Sequence, residues 1–203
     1  MLFFVNRLCI VIFFSYFCIK IRITLKNRRI MKIFFDTEFT GLHKDTTLIS
    51  IGLIDENNRS LYIELTDYDM SQCDSWIKKN VLAHLTGRNR MSSKEALQAV
   101  KKFLVDYGKV ELVSDCCHYD MVLFVDLFGG AFDMPDNVCP ACHDINQDIA
   151  EYLGISETEA FDYSREKLVK DFEIKGDKHN CLYDAKVIKK IYELINYDKK
   201  RKQ

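Results

Sequence analysis

Asp36 and Glu38 lie two positions apart in Met31–Leu42, Met-Lys-Ile-Phe-Phe-Asp-Thr-Glu-Phe-Thr-Gly-Leu. On a β-strand, residues i and i+2 point to the same face. If Lys32–Phe35 form a buried strand, both carboxylates project together from its C-terminal lip, where Thr40-Gly41 turns the chain. Like charges held that close repel unless a cation, typically divalent, sits between them. Carboxylate oxygens are hard donors and suit Mg2+ or Mn2+. Two solvated acids at a strand edge are the plain alternative, and this stretch alone does not choose. More ligands must come from elsewhere in the chain.

Two later stretches offer them. Asp115-Cys116-Cys117-His118-Tyr119-Asp120 joins a short strand, Val110–Ser114, to a very apolar helix, Tyr119–Phe128, closed by Gly129-Gly130. Asp120 falls in the first turn of that helix, where an acid can also merely complement the helix dipole. Asp115 ends the strand and ranks second. His179-Asn180-Cys181-Leu182-Tyr183-Asp184-Ala185 follows a turn at Gly176-Asp177-Lys178 and opens a last helix, His179–Tyr197. An imidazole that titrates near neutrality is a suitable base for deprotonating water. A lone His–Asp pair, by contrast, is more often a surface contact.

The elements that must position these groups can be read from periodicity. Thr47–Asp55 and Ser60–Leu65 are strands joined by the turn Glu56-Asn57-Asn58-Arg59, so residues 31–66 form an antiparallel meander. Asp74–Leu85 has helical spacing, with Trp76, Ile77, Val81, Leu82 and Leu85 on one side and Trp76 read as core. Met91-Ser92-Ser93 caps a helix running to Tyr107, and Asp144–Leu153 is a further helix. Strands first, then alternating helix and strand, predict an α/β fold, a mixed sheet flanked by helices on both faces.

Together the pieces are specific. Asp36-Thr37-Glu38, Asp120, and His179 five residues before Asp184 resemble the DEDDh group of 3′–5′ exonucleases. Cys116 stands where that group usually carries an Asn, four residues before the middle Asp. The detail is similar to the stand-alone exoribonuclease branch typified by mycobacterial ribonuclease AS, with phage exonuclease relatives. Four stretches carry it: Asp36–Phe39 with Leu48–Gly52, Trp76–Leu82, Tyr119–Val122 with Leu127–Gly129, and His179–Ala185. They cover Met31–Asn196 in order.

The resemblance implies an RNase H-like fold, often as a homodimer, and hydrolysis of single-stranded nucleic acid from the 3′ end to nucleoside 5′-monophosphates. It implies two Mg2+ or Mn2+ ions, both held by Asp36. Glu38 and Asp184 would share one, Asp120 would reach the other mainly through water, and His179 would be the general base. Phe39, Thr40 and Leu42 would hold the terminal nucleotide, through backbone after Glu38 and the Leu42 side chain. RNA is favoured. A phage-type exodeoxyribonuclease, or an idle RNase H-like module that binds nucleic acid, is the alternative; the presence of all five active residues counts against the idle form.

Charge and composition bound these readings. The 203 residues carry −1 overall, yet residues 1–30 hold six basic residues and no acid. The remainder therefore has 23 basic against 30 acidic residues, about −7, unlike proteins that grip long duplexes by neutralising phosphates. The apolar stretch Leu2–Ile21, followed by the basic Lys20–Arg29, is read either as an upstream extension before a start at Met31, which is favoured, or as a membrane anchor facing the cytoplasm. The exonuclease domain then spans 31–197, with 198–203 a solvated basic tail, and the protein is cytoplasmic. Eight irregularly spaced cysteines suit reduced thiols. Cys139-Pro140-Ala141-Cys142-His143 matches a haem-attachment pattern and could join Cys116 or Cys117 in a zinc site, but a plain loop is favoured.

Overall fold

A computed structural model of the protein describes residues 30–201; the apolar and basic segment read as an extension or anchor lies outside them. Strand β1 (Ile30–Phe39) is flanked by β2 (Leu48–Asp55), which pairs antiparallel with it and with β3 (Ser60–Leu65). Helix α1 (Ser75–Asn80), the two-residue β4 (Arg90–Met91) and α2 (Ser93–Leu104) follow. Then come β5 (Lys109–Ser114), α3 (Cys117–Phe128), β6 (Val138–Asp144), α4 (Ile145–Leu153), α5 (Glu157–Asp162), α6 (Arg165–Leu168) and α7 (Cys181–Arg201). The six strands form one mixed sheet in the order β4-β3-β2-β1-β5-β6. This is the predicted α/β architecture.

Alternation along β1 divides the core. Ile33 and Phe35 face the side covered by α2 and α3, packing with Val100, Leu104, Leu123 and Phe124. Phe34 faces the side covered by α4 and α7, with Ile145, Ile149, Ile188 and Ile191. Every residue of β2 is buried, as a central strand covered on both faces requires. Helices end where their caps dictate. Ser92 and Glu95 form a capping box at the start of α2, and Gly129 closes α3 in the left-handed conformation, φ 94°.

Four local expectations are corrected. The segment 74–85 is not one helix: Asp74 caps the short α1, and Leu82–His84 is a separate 3-10 turn. Trp76 is not core but 52% exposed, because Ile77 and Val81 take the buried side against Ile49 and Cys73. Cys139–His143 is not a loop but part of β6, an edge strand, where Pro140 needs no ladder partner. The last helix starts at Cys181, since His179 has φ 64°, outside the right-handed helical region, and it continues to Arg201 through three of the tail cations.

Candidate active site

Asp36 and Glu38 leave the C-terminal half of β1 on the α7 side, while Thr37 between them points to the other face. Asp36 stands opposite Gly52 of β2. That glycine lets α7 approach: a Cβ there would lie 2.4 Å from the Leu182 backbone nitrogen and 2.5 Å from the Cys181 carbonyl carbon. The first turn of α7 thus rests directly on the sheet, and Asp184 comes down beside the two β1 acids.

Asp120 arrives from the first turn of α3 and is fully buried. Its Oδ1 accepts the Thr37 backbone N–H at 3.1 Å and the Thr37 hydroxyl at 2.5 Å, and its Oδ2 accepts the Ser114 hydroxyl. The ends of β1 and β5 therefore orient this acid. Asp115 is held by Arg165, whose Nε donates to Oδ2 at 3.2 Å. The rest of the Arg165 guanidinium donates to Asn146 and to the carbonyls of Ala160, Phe161 and Tyr163. Asp184 accepts the His179 backbone N–H at 2.9 Å.

Two overlapping carboxylate sets result. Asp36, Glu38 and Asp184 offer oxygens within 4.8 Å of one another, and so do Asp36, Asp115 and Asp120. Asp36 belongs to both. Burial, then the charges of Asp120, Asp184 and Glu38, push the Asp36 carboxyl well above the usual range. Burial and Asp184 raise Glu38 to about 9. Burial raises Asp120 to about 7 despite its hydrogen bonds from Ser114 and Thr37. Asp184 also reaches about 7, through burial and then Asp115. Burial raises Asp115 too, against the pull of Arg165. Hard oxygen donors that are desolvated and repel one another fit divalent cations, which would restore the charged forms.

His179 stands beside this cluster on the loop before α7, and burial, then Lys178 and His84, lower its pKa below the ordinary value of 6.5. Its ring meets Trp76 edge to face, centroids 5.3 Å apart. All five predicted catalytic residues line one cleft of about 640 Å³, together with Asp115, Cys116, Trp76, Arg165 and Lys178. A second, more apolar cavity of about 440 Å³ adjoins it, lined by Glu38, Phe39, Gly41, Leu42, Asp74, Trp76, Ile77 and Val81.

The expected nucleotide-holding residues divide. Leu42 is 75% exposed on the apolar cavity, and Phe39 stacks on Tyr119 at 5.1 Å. Thr40 is buried, its hydroxyl bound to Gln72 and to the Thr47 amide, its own amide to the Thr47 carbonyl. Sequence reasoning ranked Asp115 second and missed Arg165, Ser114 and Thr37 as supports. A hydroxyl residue at each strand end, next to the acids, was the available signal. Arg165 offered none. The Cys139–His143 pattern gathers no metal-ligand group among the described residues. Cys142 packs toward α3, 3.1 Å from the Cys117 sulfur, while His143 faces Tyr192 and Asp148.

The chain is similar to known proteins. A family model described as the 3'-5' exoribonuclease Rv2179c-like domain matches residues 31–196. The 3'-5' exoribonuclease Rv2179c of Mycobacterium tuberculosis is 30% identical over 113 residues, 53% of this chain and 67% of that protein. Among solved structures, the nuclease domain of 3'hExo, a DEDDh family member bound to rAMP, superposes with a TM-score of 0.63 at 14% identity, covering 83% of this chain and 92% of that one. S. pombe Pop2p, in a form with Mg2+ and Mn2+ bound, gives 0.57 at 14% identity over 81% and 82%. At those identities the two structures speak for the RNase H-like nuclease fold. The chain belongs to the Rv2179c-like 3'-5' exoribonuclease family and is an exonuclease.

Proposed function

We propose that the protein removes nucleotides one at a time from the 3′ end of single-stranded RNA, releasing nucleoside 5′-monophosphates, in the cytoplasm. The observation that carries this reading is the pair of carboxylate sets joined through Asp36 beside His179. Asp36 would serve both of two Mg2+ or Mn2+ ions, Glu38 and Asp184 one of them, and Asp120 the other. When bound, the ions supply Lewis-acid polarisation of the scissile phosphate and a lowered pKa for the attacking water. His179, neutral at pH 7 because its pKa is lowered, accepts that water's proton through its ring. Its backbone N–H on Asp184 keeps base and ligand in one frame.

The terminal nucleoside seats its base in the apolar cavity, against Leu42 and above Phe39. Thr40 acts through the loop it braces rather than through its buried hydroxyl. A relative named as an exoribonuclease and a similar nuclease domain bound to rAMP favour RNA over DNA. Net negative charge outside residues 1–30 suits short single strands brought in by metal ions.

The test is the double variant Asp36→Ala, Asp184→Ala. It is expected to fold, by circular dichroism, and to leave 5′-labelled RNA intact. A folded double variant that still shortens RNA at the wild-type rate would sink the scheme.

A further inference from the structure

Trp76 is half exposed and, with Glu38 and Phe39, lines both the apolar pocket and the catalytic cleft. Its own position is fixed from below. Asp74 caps α1 by accepting the Ile77 amide at 2.8 Å, and Ile77 and Val81 anchor the helix against Ile49 and Cys73. His179, in contrast, belongs to the stretch between α6 and α7, which has no regular structure to hold it. At φ 64° it occupies backbone space that a residue with a side chain keeps only under outside restraint. Beyond its backbone N–H on Asp184, two contacts tie it and its neighbour to the α1 region. The Trp76 ring lies against the imidazole at 5.3 Å, and the Asn180 amide donates to the His84 carbonyl at 3.4 Å.

We propose that Trp76 is a positioning residue that couples base occupancy of the apolar pocket to the placement of the His179 ring. The inference rests on His179 acting as the general base. A base stacked in the pocket presses Trp76 toward the cleft, and Trp76 in turn holds the imidazole where it can take the proton. Binding of a group remote from the scissile bond is thereby expressed in the chemical step rather than in affinity alone. A 3′-terminal residue lacking a base would leave His179 less well placed, so the enzyme would act slowly at abasic ends.

The experiment measures kcat and KM for the full chain and for Trp76→Ala, Trp76→Leu, Trp76→Phe and His179→Ala. Each is assayed on a short RNA ending in adenosine and on the same RNA ending in an abasic ribose. Trp76→Ala and Trp76→Leu should lower kcat by about tenfold or more with little change in KM, and Trp76→Phe, which keeps an aromatic face, should recover most of that loss. The abasic end should depress kcat of the wild type but cause little further loss in Trp76→Ala, because both remove the same coupling. A Trp76→Ala enzyme with raised KM and wild-type kcat would overturn the proposal, leaving Trp76 as a simple stacking surface. So would additive losses from the abasic end and the substitution. A His179→Ala enzyme with wild-type kcat would instead remove the general-base reading underneath it.

Discussion

Asp36 is the residue on which both carboxylate sets depend, and its removal has two opposite consequences. Asp36→Asn keeps the shape but takes away the shared charge, so hydrolysis should fall by roughly a thousandfold or more. The same change removes an acid whose ionisation burial and the charges of Asp120, Asp184 and Glu38 oppose, so the metal-free variant should melt above the metal-free wild type in calorimetry. A variant that loses activity and melts lower would point to a collapsed site instead. His179→Ala should retain metal binding and lose about 10²–10⁴ in kcat, the usual contribution of a positioned base. Thr37→Val tests the support of Asp120. Both the hydroxyl and the buried acid it serves are inside the protein, so the expected cost is about 1–3 kcal/mol together with weaker Mn2+ binding by calorimetry.

At the level of elements, Gly52 decides how close α7 lies to the sheet. Gly52→Ala would put a methyl group into the backbone of Cys181 and Leu182, which cannot move without carrying Asp184 away from Asp36. A loss of about 1–3 kcal/mol in denaturant unfolding and a larger proportional loss of activity are expected. Unchanged stability and rate would show that the helix has room to spare. What the sequence made legible follows from the same geometry. The apolar runs of β1, β2 and β3 and the period of α2 and α7 are long enough to declare themselves, and the acids at their ends came with them. The two residues of β4 carry no period at all. Strand β6 holds Pro140, which only an edge position permits, so the Cys139–His143 stretch carried no clear strand signal. Trp76 shares a helical stripe with Ile77 and Val81 on paper, but a helix of six residues has too few turns to tell which side is covered. Arg165 reaches Asp115 across 50 positions, a contact that no local pattern encodes.

Over the whole molecule, the raised carboxyls are expected to make stability depend on pH and, under the proposed function, on metal. Asp120 and Asp184 at about 7, and Glu38 at about 9, have folded-state values above the ordinary carboxylate range. Raised acids bind protons more tightly when folded, so this part of the stability is present at low pH and is lost as pH rises through those values. Metal-free protein should therefore lose melting temperature between about pH 5 and 9. Saturating Mg2+ or Mn2+ should flatten or reverse that slope, because the cations bind the ionised folded form. A metal-free protein whose melting temperature rises over the same interval would contradict the electrostatic account. Among the described residues, no helix is long and apolar enough to cross a membrane, and their six cysteines are free thiols.

The measurement nearest to the central claim is digestion of 5′-labelled single strands of RNA and DNA, mixed and poly(A) in sequence, with Mg2+, Mn2+ or EDTA. The account predicts a ladder that shortens from the 3′ end, releases nucleoside 5′-monophosphates, runs faster on RNA and stops in EDTA. Well-folded wild-type protein that leaves both polymers intact with either metal, or that cuts equally well in EDTA, would contradict it.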